Sequence, residues 1–194
     1  GVLIGFESLR HDTLQLMDKK LNVVMGDYKQ LIDRLHHYGI GLYGTFIFGY
    51  DSESAIDTQR TAESAIDFGL FIAAFNHLLP FPGTPLYKQF QSEGKLTDEQ
   101  WWLSPTFRFG DVPFNPRNMS AQELHDLCIK ARRRFYSVPA MIQRAMNLKG
   151  NATTLRKAGA FWGINVLLRK EIGQKDGLPL GNHPVRPLPL YAEN

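Results

Sequence analysis

The sequence predicts an α/β fold: a partial (β/α) TIM-like barrel of about three parallel strands with their helices, followed by a mainly helical extension. Three observations carry this. Apolar runs at 2–7, 40–48 and 70–79 alternate with segments of helical periodicity, the pattern of parallel βα units. The run 70–79 is almost continuously apolar, as a strand covered on both faces should be. Finally, the stretch Gly44-Thr-Phe-Ile-Phe-Gly-Tyr-Asp-Ser-Glu53 reads as a buried strand that breaks at a glycine and opens a helix through an acidic turn. Such a turn puts loop backbone and helix N-terminal N–H groups at the carboxyl edge of a parallel sheet, where α/β proteins bind ligands. Three strands cannot close a barrel.

Each element follows from local chemistry. Strand 2–7 leads into a polar segment and a short helix around 12–19. Asp27 caps a helix to Tyr38, with Gln30 in capping-box position and a stripe of Tyr28, Leu31, Ile32 and Leu35; Gly39 stops it. Strand 40–48 precedes a helix over 53–68, expected to bury Ile56, Gln59, Ala62 and Ile66 and to end at Gly69. After strand 70–79, Thr84 followed by Pro85 is an N-cap with proline at the first helical position, starting a helix to about Glu93. The barrel part is placed at 1–94 and the extension at 95–194. Residues 101–119 are rich in aromatics and proline, which predicts an ordered, irregular segment packed on the barrel. Ser120 and Glu123 form a capping box for a helix with Leu124, Leu127, Cys128, Ala131 and Phe135 on one face. A further helix is expected at 151–172, and an extended tail from Gly173.

Composition narrows the function. The 194 residues carry a formal charge of +3, too modest a positive balance to argue for nucleic acid. The one cysteine, Cys128, excludes an internal disulfide framework and fits a reducing cytosol, hence a cytoplasmic location. No run of eighteen apolar residues exists, which argues against a membrane span. The chain opens inside a strand, on Gly1-Val-Leu-Ile-Gly-Phe, without an initiator Met. This predicts a fragment whose upstream half is its missing partner, and an open strand edge that either self-associates or is shielded by the chain's own carboxyl-terminal segment.

Three segments lie at successive strand ends: Ile4-Gly-Phe-Glu-Ser8, Phe46-Ile-Phe-Gly49 through Glu53, and Pro80-Phe-Pro-Gly-Thr-Pro85. In this order and spacing they resemble the carboxyl-terminal half of a radical S-adenosylmethionine (SAM) enzyme. The likeness is closest to the cobalamin-binding subgroup that includes the anaerobic magnesium-protoporphyrin monomethyl ester cyclase and various methyltransferases. Met17 and Lys19 resemble the Met-x-Lys that follows the first segment in that family. Asp51-Ser52 departs from the usual Pro-Gly, and Thr45 stands where glycine is common. The resemblance implies SAM and a [4Fe–4S] cluster as cofactors of the full-length parent, cobalamin as a further candidate, and a small organic substrate. It implies reductive cleavage of SAM followed by methyl transfer or oxidative cyclisation. The cluster needs three cysteines in a Cys-x-x-x-Cys-x-x-Cys motif. This chain lacks it, so the chain alone is expected to hold no cluster and to be inactive.

The same resemblance assigns Glu7 and Ser8, Phe48, Gly49, Glu53 and Leu79 to the cofactor side; it assigns no metal ligand and no catalytic residue. His77, late in the third strand, is a candidate for the substrate side, against a hydrogen-bonded structural histidine. The residues also permit plainer readings. Glu7 is read as a ribose contact, against a turn cap or a pair with Arg10. Glu53 fits the first turn of a helix, where acids are favoured by the dipole. Phe48 is core by default. His77 and Asn76 form a polar pair in an apolar strand, costly unless satisfied. His36 and His37 stand near a helix C-terminus, where imidazolium is favourable. Cys128 reads as an inert core thiol, and Arg132 to Arg134 as a solvated helix face. Trp101, Trp102 and Phe107 are candidates for a substrate wall. Two rival functions share the strand-end cleft: a non-catalytic nucleotide- or phosphate-binding module, and a tRNA-modifying radical enzyme.

Overall fold

The computed structural model describes residues 1–9 and 28–179. The helix expected at 12–19, the Asp27 cap, Arg10, Met17, Lys19 and the tail beyond Pro179 lie outside the described residues. Within them, β1 (Val2–Glu7), β2 (Leu42–Phe48) and β3 (Ile72–His77) form a parallel sheet in the order β1-β2-β3. Helices α1 (Tyr28–His37) and α2 (Ala55–Asp67) precede β2 and β3, and α3 (Pro85–Ser92) follows. A 3-10 turn at Trp101–Leu103 leads to α4 (Ala121–Phe135), α5 (Val138–Ala145), the single turn α6 (Leu148–Asn151) and α7 (Leu155–Glu171). This is the α/β architecture of a partial (β/α) barrel with a helical extension. No helix among the described residues is long and apolar enough to cross a membrane.

One face of the sheet is sealed by aromatic rings. Phe6, Phe46 and Phe75 stack across the three strands at 5.2 and 5.3 Å, their planes nearly parallel, and Phe135 of α4 meets Phe75 edge-on at 5.6 Å. All four are fully buried. Each ring buries a large apolar area, and the offset and edge-on pairings add to that. Because side chains alternate along a strand, the other face carries Tyr43, Thr45 and Ile47 beside Ile72, Ala74 and Asn76, all short of full burial.

Helix α2 corrects the expected face. A capping box between Ser54 and Asp57 starts it at Ala55, and the buried stripe is Thr58, Thr61, Ala62, Ala65 and Ile66. Ile56 is 50% exposed and Gln59 is also outside. Small and β-branched residues face inward because α4 lies close against this helix, leaving no room for longer ones. The caps read from sequence hold elsewhere: Thr84 accepts from the Tyr87 amide, and Ser120 and Glu123 close their box. The segment after α7 turns at 173–177 instead of extending, then pairs Pro179 with Arg108.

The exposed edge of β3 is closed by side chains of the extension. Tyr136 Oη donates to the Ala73 carbonyl at 2.8 Å and accepts from the Ala73 amide at 3.3 Å. Arg132 Nε donates to the Phe75 carbonyl at 2.9 Å and Nη2 to Asn76 Oδ1 at 2.9 Å. Arg134 makes a two-point pair with Glu63 of α2 at 2.7 Å. Arg132 therefore binds the sheet edge, which corrects its reading as part of a solvated face; Arg133 and Arg134 remain exposed, Arg134 in its surface pair with Glu63.

Candidate functional site

The carboxyl ends of β1 and β2 form a tight polar cluster. Glu7 has φ of 61°, in the left-handed region that non-glycine residues rarely occupy, and the pairing of β1 with β2 shifts register between Gly5 and Glu7. Such a conformation costs free energy and persists where its surroundings impose it, most often at functional sites. Gly5 makes room for the result: a Cβ there would come within 2.7 Å of Glu7 Oε1. The Glu7 carboxylate is half-buried at the strand end.

Glu53 is 3% exposed and accepts hydrogen bonds from Ser8 Oγ at 2.8 Å and the Gly49 amide at 3.0 Å, with a longer contact from the Tyr50 amide at 3.4 Å. It precedes the Ser54 cap, so the expected place in the first helical turn is corrected: what fixes it is the ring of donors, not the dipole. Burial raises its pKa above the usual carboxylate value, and the donors from Ser8, Gly49 and Tyr50 pull the other way. The Tyr50 phenol is pushed up by burial and by the charges of Glu7 and Glu53. Asn118 was not singled out from sequence, yet its Nδ2 donates to the carbonyls of Asp51 (2.8 Å) and Glu53 (3.0 Å). Lys95 pairs with Asp51. A pinned loop thus joins β1, β2 and the extension.

Gly49 has φ of 106°, and a Cβ there would lie 2.6 Å from Leu124 Cδ2. Its close approach is therefore to α4. Phe48 is buried in the ring stack, 6.1 Å from Phe75.

His77 and Leu79 sit apart from this cluster, on a cleft of about 1340 Å³ beside the end of β3. Its walls include Tyr43, Ile47, Trp101, Trp102, Phe107 and Ile129, so the three aromatic residues singled out in the extension do line a cavity. Trp101 packs on Phe107 at 4.8 Å and edge-on to Trp102 at 5.8 Å. His125 spans two acceptors, with Nδ1 2.9 Å from the Gly110 carbonyl and Nε2 3.1 Å from Asp176 Oδ2.

Among the described residues no group of three or more His, Cys, Asp or Glu side chains is placed to hold a metal ion. The Cys128 thiol is buried and pushed up to about 12 by desolvation, so it does not fit a cluster ligand, which must be a thiolate. His36 is 4% exposed; burial lowers its pKa, and its Nδ1 lies 2.8 Å from Asn147 Nδ2. A ring nitrogen facing an amide NH₂ is an acceptor, so His36 is neutral. Its expected imidazolium role at the helix end is thereby corrected, and the reason is desolvation by α6.

No protein-family profile matches the chain. Over 167 residues, 86% of this chain, it is 31% identical to the bacteriochlorophyllide d C-12(1)-methyltransferase of Chlorobaculum tepidum, covering 34% of that protein. Over 104 residues, 52% of the chain, it is 29% identical to the bacteriochlorophyllide d C-8(2)-methyltransferase of the same organism, covering 22% of it. The chain thus spans about a third of the length of the first relative, and the relatives across most of its sequence are methyltransferases.

Proposed function

We propose that the chain is the carboxyl-terminal part of a radical SAM methyltransferase that acts on a bacteriochlorophyllide-like tetrapyrrole. The observation that carries this is the 31% identity to a methyltransferase of that pigment along 86% of the chain. The left-handed backbone of Glu7 and the donors that converge on Glu53 support reading these strand ends as the SAM side. Bound SAM and a [4Fe–4S] cluster would supply the radical and the electron, with cobalamin as a further cofactor of the whole protein. The residues of this chain do the placing. The Glu7 carboxylate accepts hydrogen bonds from ribose hydroxyls, and the Ser8–Glu53–Gly49 ring fixes the loop that faces them. The apolar cleft beside β3 holds the substrate and keeps water out. The cluster ligands lie outside this chain, which by itself would not cleave SAM.

The test is anaerobic turnover of the whole protein with SAM and bacteriochlorophyllide d, read by mass spectrometry of the pigment. A pigment heavier by one methylene is expected. Glu7→Ala should weaken SAM binding by about 1–3 kcal/mol, the scale of a lost charged hydrogen bond. An unmodified pigment together with undetectable SAM binding would reject the assignment.

A further inference from the structure

The cleft beside β3 is larger than the roughly 300–1,000 Å³ usual for clefts that hold drug-sized ligands. Its aromatic side, with Trp101, Trp102 and Phe107, suits a flat ring system. At the end of β3, His77 Nδ1 lies 3.0 Å from the Leu78 carbonyl oxygen. A carbonyl only accepts, so Nδ1 carries the proton and Nε2 keeps its lone pair. Histidines that bind metals are set up in this way, with the second nitrogen donating to a backbone carbonyl that fixes tautomer and ring orientation. The Gly110 carbonyl is also close to the ring and favours its protonated form; with two lone pairs it accepts from His125 Nδ1 as well, at 2.9 Å.

Burial is the largest influence on the His77 pKa and lowers it; the Leu78 and Gly110 carbonyls oppose this, and the charges of His125 and Arg132 add to it. The ring is accordingly neutral at neutral pH, the form that ligates metals. Among the described residues no group of three His, Cys, Asp or Glu side chains could hold a metal ion, so none of them builds a protein-only metal site around His77. A metal that arrives already ringed by a planar macrocycle needs only one axial ligand from the protein. Nearby, Arg132 uses Nε and Nη2 on Phe75 and Asn76, so Nη1 is left for an anion.

We propose that His77 Nε2 is the axial ligand for the central metal of a metallated cyclic tetrapyrrole acid, held with its ring on the aromatic wall and its carboxylate toward Arg132. This rests on the reading of the cleft as the substrate side of a tetrapyrrole methyltransferase, and adds that the enzyme selects the metallated pigment. No bond in the pigment is made or broken by this step; the imidazole lone pair fills an open coordination position.

The test compares zinc pheophorbide a with metal-free pheophorbide a, titrated into the whole protein and followed by tryptophan quenching and the pigment's absorption bands. The zinc form should bind at least about tenfold more tightly, the low end of what a metal-site contact contributes, and should show the band shift of a five-coordinate metal. His77→Ala should remove both the shift and the preference, so that the variant binds the zinc and metal-free pigments equally, and added imidazole should restore the shift. Equal affinities in the wild type, or a shift that survives in a folded His77→Ala protein, would overturn the proposal. If His77→Ala does not fold, the wild-type comparison together with His77→Gln decides. Failure of both pigments to bind would reject the tetrapyrrole reading itself, whereas binding without metal preference would reject only the role of His77.

Discussion

Arg144 shows what a single buried charge costs and supports. It has no exposed surface, and its guanidinium lies 3.7 Å from the centre of the Phe135 ring. Nη1 donates to the Leu70 carbonyl at 2.9 Å, and Nη2 to the Phe135 carbonyl at 3.0 Å and Asn165 Oδ1 at 2.9 Å. Neutral oxygens and aromatic faces replace the usual carboxylate, and burial pulls the pKa down to about 10. Removing the fork would strand several buried carbonyls at about 1–3 kcal/mol each. Arg144→Ala is therefore expected to cost about 3 kcal/mol or more, measurable by urea unfolding, and Arg144→Lys should recover little because an ammonium cannot make the planar fork. Sequence could not announce this residue: an arginine near a helix C-terminus ordinarily reads as a dipole partner in solvent. Glu53 was misplaced for a related reason. An acid before a helix looks like a dipole contact until the donors that converge on it from Ser8 and Gly49 are known, and those converge only in three dimensions.

Among the elements, α4 does two tasks. Its apolar stripe packs Leu124, Cys128, Ala131 and Phe135 inward as its spacing foretold, with Leu127 only half-buried at its margin. Its basic end, with Tyr136 just beyond, also supplies Arg132 and the phenol that stand in for a neighbouring strand along β3. Tyr136→Phe would leave the Ala73 amide and carbonyl without these bonds and is expected to lower stability by about 1–3 kcal/mol. Faster hydrogen exchange at the Ala73 amide, with other β3 amides unchanged, would locate the effect. An unaltered Ala73 exchange rate would show that the phenol contributes packing only. Strands, caps and the α4 stripe were legible because they depend on residues a few positions apart. The inward face of α2 was not, because tertiary contact with α4 chose Thr58, Thr61 and Ala65 over the more apolar Ile56.

For the whole molecule, acid should act through the buried imidazoles. His36 and His77 both have folded pKa values below the usual 6.5. The unfolded chain then binds more protons as pH falls through 6.5, so the stability these groups contribute is present above that pH and lost below it. Glu53 works in the other direction: its raised value gives stability that is fully present below the ordinary 4.5 and lost as pH rises through the folded value. Comparing thermal unfolding of the wild type with His36→Gln separates the two. The wild type's advantage should shrink as pH drops below 6.5; an advantage that stays constant with pH would mean that His36 is not held neutral.

The contact between Gly49 and Leu124 sets a rule for recombination. The strand-end loop and the extension share a surface so close that residue 49 cannot gain a methyl group without moving Leu124. Evolution or an engineer exchanging extensions between related chains would have to carry this pair across the junction together. A chimera cut between them inherits a loop shaped for someone else's helix, and a defect in the cleft could then appear as a defect at the other strand ends.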